Sequence, residues 1–271
     1  MNSKITLLII SALISFSTYS SPSDAEFTIG FTLYNQNDWI NSQEPLRTSA
    51  EAGNSDAQYY LAEAIRLSSR YTTEESQKWY EAAAEQGDLY AMIRLGSTDD
   101  LCGSLQEECK KDRKYWTEKV RKQAKIRANS GDKDAMEVMY YLSGDRKWLE
   151  KSSELGNSNA SYLMAKQLLS DTRDSDTGET VLSPKAEFFL RKAAENENPG
   201  AMALLSSKLE REKKFGESKK WLERCLLTSH ADCVLRLENI HRQLTDRYKN
   251  LDYQPSKTIA YGILLFRRDA L

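Results

Sequence analysis

Proline and glycine are scarce in this 271-residue chain, with 5 and 12 copies, and histidine is scarcer still, with 2. So few turn formers exclude a collagen-like repeat, a disordered linker and a turn-dense β-sandwich, and leave long helices as the default. An excess of either charge is missing as well: 38 Lys and Arg stand against 40 Asp and Glu, a formal charge of -2. That balance does not suit a protein whose affinity comes from neutralising phosphates, so no nucleic-acid partner is expected. Long apolar runs are absent beyond the first residues. Even Ile259 to Phe266 is only eight residues, too short for a hydrocarbon core of roughly 30 Å, so no integral membrane anchor is expected. What remains, 40% hydrophobic and 29% charged, is enough to bury a core in one or two soluble domains.

What is present begins with a leader. Lys4 is followed by the apolar run Ile5 to Phe16 and then by small and polar residues to Ser23. These are the three parts of a secretory signal peptide, expected at residues 1–20. Thr18 and Ser20 supply the small side chains that a signal peptidase reads, with Ser23 and Ala25 as an alternative. No Cys follows the apolar run, so no lipid anchor is expected. Cleavage removes Lys4 alone and leaves 37 basic and 40 acidic groups. The expected location is the periplasm.

Self-comparison reveals a repeat. The segment Ala83-Ala84-Glu85-Gln86-Gly87-Asp88-Leu89-Tyr90-Ala91-Met92 is echoed by Ala193-Ala194-Glu195-Asn196-Glu197-Asn198-Pro199-Gly200-Ala201-Met202. Aligned turn positions fall at Gly53, Gly87, Gly131, Gly156, Glu197 and Ser229, separated by 34, 44, 25, 41 and 32 residues. Four residues later stand Ala57, Ala91, Ala135, Ala160, Ala201 and Cys233; eight residues later stand Leu61, Leu95, Met139, Met164, Leu205 and Leu237. Eight residues before the turn stand Trp79, Trp148, Phe189 and Trp221, with Pro45 and Gln123 interrupting the column. The third unit has its nearest Trp at Trp116. Columns at four and eight share one helical face, so each unit reads as two antiparallel helices joined at the turn. Gly suits a left-handed helix end. Glu197 does not, and the expectation is a different turn there, with Pro199 or Gly200 taking over part of the role.

These columns resemble the Sel-1-like repeat, a relative of the tetratricopeptide repeat, over residues 46–240. Lys78-Trp79-Tyr80-Glu81-Ala82-Ala83-Ala84-Glu85-Gln86-Gly87 and Lys147-Trp148-Leu149-Glu150 carry the likeness best. The resemblance implies an all-α fold, a right-handed α-solenoid of antiparallel helix pairs whose concave face binds proteins. Insertions are expected near 97–127 and 171–184, an N-terminal cap with Phe27, Phe31 and Trp39 within 21–45, and capping helices at 241–271 with Ile259, Ile263 and Leu264 on the apolar side.

Four cysteines allow three pairings. Cys225 and Cys233 occupy the two small-residue columns that touch across a helix pair, which places them for a disulfide. Cys102 and Cys109, seven residues apart, are expected to close a small loop. Both bridges agree with export, and cysteines at the two repeat columns resemble those of the cysteine-containing secreted branch of the family. A zinc site is not expected, because no Cys-x-x-Cys exists and the chain has just His230 and His241.

Chemistry-bearing patterns reduce to repeat turns. Gly53-Asn54-Ser55-Asp56-Ala57 and Gly156-Asn157-Ser158-Asn159-Ala160 resemble nucleophile elbows, yet both lie where Asn and Ser cap a helix. Ser130-Gly131-Asp132-Lys133 has the Ser-x-x-Lys spacing of penicillin-recognising enzymes but lacks a Lys-Thr-Gly companion. Asp174, Asp176 and Glu179 surround Gly178 without the register of a calcium loop. No phosphate loop, dinucleotide fingerprint or His-Glu-x-x-His occurs. No catalytic residue, cofactor or metal is expected. The basic stretch Lys110 to Arg127 offers a solvated helix face or a contact for an acidic partner, and Arg113, Lys114, Tyr115 and Lys122 are the candidate partner-binding residues. The family resemblance implies an exported binding module, most specifically an immunity protein that covers a toxin such as a phospholipase effector of the type VI secretion system. An envelope regulatory or assembly adaptor is the alternative, and a cell-wall or β-lactam-directed enzyme a remoter one.

Overall fold

The computed structural model describes residues 22–97, 111–171 and 182–228, together with His230 and Cys233. The leader at 1–20, Cys102 and Cys109, the acidic loop at 174–179, Ser229, Leu237, His241 and the capping segment 241–271 lie outside the described residues. The described residues form twelve helices and no strand. In chain order they are α1 Pro22–Asn35, α2 Gln43–Glu51, α3 Ser55–Ser69, α4 Glu74–Glu85, α5 Leu89–Ser97, α6 Arg113–Asn129, α7 Lys133–Ser143, α8 Arg146–Glu154, α9 Ser158–Asp171, α10 Pro184–Glu195, α11 Pro199–Arg211 and α12 Phe215–Leu226. Each helix packs on its chain neighbours, with smaller contacts of α1 on α3 and α5 on α7. That serial contact pattern is an all-α solenoid of antiparallel pairs, α2/α3, α4/α5, α6/α7, α8/α9 and α10/α11.

One turn chemistry joins every pair. Gly53, Gly87, Gly131 and Gly156 sit at φ of 94, 97, 94 and 82°, in the left-handed region. The N–H one residue further on donates back to the helix: Asp88 to Ala83 at 3.1 Å, Asp132 to Arg127 at 3.1 Å and Asn157 to Ser152 at 3.1 Å. This is the paired closure that satisfies orphan carbonyls at a helix end. The residue supplying that N–H is always Asn or Asp, and its side chain caps the next helix. Asn54, Asp88, Asp132, Asn157 and Asn198 accept from the N–H of Ala57, Ala91, Ala135, Ala160 and Ala201 at 2.7 to 3.0 Å.

Glu197 corrects the expectation for the fifth unit. It takes φ 65°, and Asn198 donates to Ala193 at 3.0 Å as in the other units. The geometry of the pair overrides the preference of the residue. Pro199 instead opens α11 and Gly200 lies one residue further in, where a Cβ would come within 2.9 Å of the Tyr162 ring.

Among the described residues the core runs along the stack in successive clusters. Its Ala column, Ala57, Ala91, Ala135, Ala160 and Ala201, is fully buried. The aromatic column that marks the repeat is only half-buried; its neighbour is the anchor. Leu46, Tyr80, Ala124, Leu149, Leu190 and Leu222, seven residues before each turn, are each 0% exposed. The outer aromatics carry cations from their own helices: Lys78 lies 5.7 Å from the Trp79 ring centroid, Lys151 5.2 Å from Trp148 and Arg224 5.7 Å from Trp221.

Candidate functional site

The second helices of the first four units, with α1, line one continuous groove. Its floor is aromatic. Phe31 and Tyr34 from α1 pack on Tyr60 of α3 with ring centroids 4.7 and 5.1 Å apart, Tyr59 meets Tyr60 at 5.2 Å, and Tyr59 reaches Tyr90 of α5 at 6.3 Å. Ile93 and Arg94 of α5, Glu137 and Tyr141 of α7 and Asn159 of α9 continue the wall. The groove extends one way past Asp56 and Asp88, and the other past Asp134 and Asn157. These side chains face the groove because they stand off the four-and-eight stripe that each second helix gives to the core.

Two buried carboxylates answer their burial differently. Glu63, 2% exposed, receives Tyr80 Oη at 2.8 Å, Arg66 Nη2 at 2.6 Å and Arg94 Nε at 2.5 Å. Glu137, 1% exposed, receives neutral donors, the Tyr141 hydroxyl at 2.9 Å and the Asn159 and Asn157 amides. No Lys or Arg pairs with it among the described residues. Burial accordingly pushes the Glu137 carboxyl above its usual range, with nearby Asp134 adding to the shift and the hydrogen bonds opposing it. Burial also raises the phenols. Tyr34 is pushed up to about 12, with the Glu63 charge as the next cause. Tyr59, Tyr60, Tyr90 and Tyr141 lie well above the ordinary phenol value, first from burial and then from neighbouring phenols and carboxylates. The tyrosines of the groove are therefore neutral hydroxyl donors at any physiological pH.

The basic candidates lie elsewhere, and their setting differs from the expectation. Arg113, Lys114 and Tyr115 form the first turn of α6 and Lys122 its middle, so they belong to a regular repeat helix and not to an irregular insertion. Asp112 caps that helix by accepting from the Tyr115 N–H at 2.8 Å. Trp116, Val120, Ala124 and Ala128 bury one side of α6, leaving Lys114 and Lys122 exposed off that side, while Arg113 stands over the buried side at the helix start and its Nε donates to the Gly96 carbonyl at 2.9 Å. Part of the basic charge is already answered: Lys111 and Lys119 both pair with Glu85, at 2.7 and 3.0 Å, and Arg127 with Asp132 at 2.7 Å. Cys225 and Cys233 are joined as a disulfide with Cα atoms 5.8 Å apart, inside the last core cluster. Ser130 closes α6, its hydroxyl donating to the Arg127 carbonyl at 2.9 Å. No helix among the described residues is long and apolar enough to cross a membrane.

Comparison with known proteins returns the repeat and nothing narrower. No protein-family profile and no curated protein matches the chain. Solved structures do, two of them as follows. The chain is similar to a Sel1 repeat protein from Oxalobacter formigenes, at 20% identity and a TM-score of 0.34 over 75% of this chain and 86% of that one. It is also similar to c5321, a protective antigen of uropathogenic Escherichia coli strains with an SLR fold, at 20% identity and a TM-score of 0.32, covering 86% of this chain and 57% of that one.

Sequence reasoning missed the groove. Its tyrosines do not share one repeat column: Tyr59 stands six residues after its turn, Tyr60 seven, Tyr90 three and Tyr141 ten. The available signal was the concentration of Tyr on second helices, off the core stripe.

Proposed function

We propose that this protein is a non-enzymatic interaction module that binds another protein along the groove of α1, α3, α5, α7 and α9. The observation that carries the reading is the unbroken run of rings from Phe31 to Tyr90, bordered by carboxylates. Tyrosine gives large contact area at low conformational-entropy cost together with a hydrogen-bonding end, the composition of energetically dominant interface positions. The finer reading is an exported, periplasmic immunity protein that binds and neutralises an antibacterial toxin such as a phospholipase effector. It rests on the secretory pattern of residues 1–20, the Sel-1-like columns and the Cys225–Cys233 bridge, which suits an oxidising compartment. Its test is periplasmic expression of any secreted phospholipase encoded beside the gene, with and without this chain. Rescue of growth that is lost in a Tyr60→Ala/Tyr90→Ala variant supports the reading, and unchanged killing contradicts it.

A further inference from the structure

The groove is matched to one kind of side chain. Resting on the reading of the groove as a protein-binding surface, we infer that the slot formed by Tyr90, Asp134, Glu137, Tyr141 and Asn159 seats an arginine side chain of the partner.

Charge complementarity carries the argument. Glu137 and Asp134 come from the same turn of α7 and line the same recess, with Tyr90 beside them. Asp134 is exposed and accepts from Asn157 Nδ2 at 3.0 Å; Glu137 is buried and accepts from the neutral groups Tyr141, Asn159 and Asn157. Neither has a cation partner among the described residues. Elsewhere the protein answers such groups from its own chain. Glu63 is met by Arg66 and Arg94, and the outer rings of Trp79, Trp148 and Trp221 each have a cation within 5.7 Å. Among the described residues no cation lies over Tyr59, Tyr60, Tyr90 or Tyr141. Of the cations that border the groove, Arg94 is tied to Glu63 and Arg127 to Asp132 and the Gly87 carbonyl, while Lys133 lines the recess without an ion pair to Asp134 or Glu137. A metal ion is a poor guest, since among the described residues no three acidic, His or Cys side chains converge to hold one. A guanidinium fits better than an ammonium because it is planar, donates in a fork to two carboxylates and stacks on a phenol ring. An unoccupied buried carboxylate costs stability, and a guest cation recovers that cost on binding.

The test is selection of a displayed random-peptide library against the mature chain, followed by fluorescence anisotropy with the synthesised winner. Peptides sharing an arginine at one register are expected. Replacing that arginine by citrulline should weaken binding at least tenfold, and replacing it by lysine should weaken it less. The double variant Asp134→Asn/Glu137→Gln should lose tenfold or more, while Glu44→Gln/Glu51→Gln, an equal charge change on the exposed side of α2, should bind as the parent does. Enriched peptides with no basic residue, still sensitive to Tyr90→Ala, would overturn the arginine slot and leave the groove as a binding surface. Equal binding of arginine and citrulline peptides overturns it likewise. No enrichment at all would overturn both readings.

Discussion

Glu137 and Glu197 are residues whose chemistry opposes their setting, and each yields a measurable consequence. The folded-state pKa of Glu137 is raised above its unfolded value by burial. The folded protein then holds a proton there that the unfolded chain has already released, so stability falls as pH rises from the ordinary carboxylate value through the folded one. Glu137→Gln keeps an oxygen for Tyr141 and Asn159 and removes the charge, so it should raise the denaturant midpoint at pH 7, by on the order of 1 kcal/mol in stability. The gain should vanish near pH 4. Groups with lowered pKa, such as Glu85 and Asp132, destabilise on acidification but do so in both proteins and cancel in the comparison. Glu197 holds a left-handed conformation that costs an L-residue roughly 1–2 kcal/mol, and among the described residues its side chain has a 3.7 Å ion pair with Arg224. Glu197→Gly should therefore stabilise, and Gly87→Ala should destabilise by about 1 kcal/mol. No atom lies within 4 Å of a Cβ built at Gly87, so backbone conformation alone sets that cost. Thermal unfolding of the pair checks both signs.

At the scale of the helix, α1 shows how one small residue places a wall of the groove. Gly30 is buried, and a Cβ built there would lie 2.6 Å from Leu46 Cγ and 2.8 Å from its backbone nitrogen. Leu46 is itself 0% exposed, so neither helix can yield without leaving the core. Gly30→Val should lift α1 from α2 and α3 and free Phe31 and Tyr34 from Tyr60. Faster amide exchange confined to α1 and the start of α3 is the expected result; uniform loss of protection would mean that α1 is integral to the stack. The helices themselves were legible from the sequence, because the Ala and Leu columns at four and eight residues follow the period of a helix face. The anchor seven residues before each turn was not. It varies between Leu, Tyr and Ala, while the conspicuous Trp beside it is half-exposed. The helical setting of Arg113 and Tyr115 was hidden for a related reason: α6 fills its core positions with Trp116, Val120 and Ala124, which breaks the aromatic column without breaking the helix.

Across the whole molecule the serial packing divides two surfaces. Aromatic residues of the first helices keep cations from their own sequence, whereas the tyrosines and carboxylates of the second helices keep only neutral donors beside Tyr90. Because each unit touches its neighbours alone, a groove of this length depends on the register of every turn, which the Asn or Asp caps maintain. The groove could not be read from the chain because it is assembled from unlike columns of different units. The exposed basic side of α6, with Lys114 and Lys122, is the competing surface. Photo-crosslinking in the native host separates the two most directly, with benzoylphenylalanine placed at Tyr90 in one strain and at Lys122 in another. A discrete protein adduct at position 90 and none at 122 is expected; an adduct at 122 with none at 90 would contradict the groove as the binding surface.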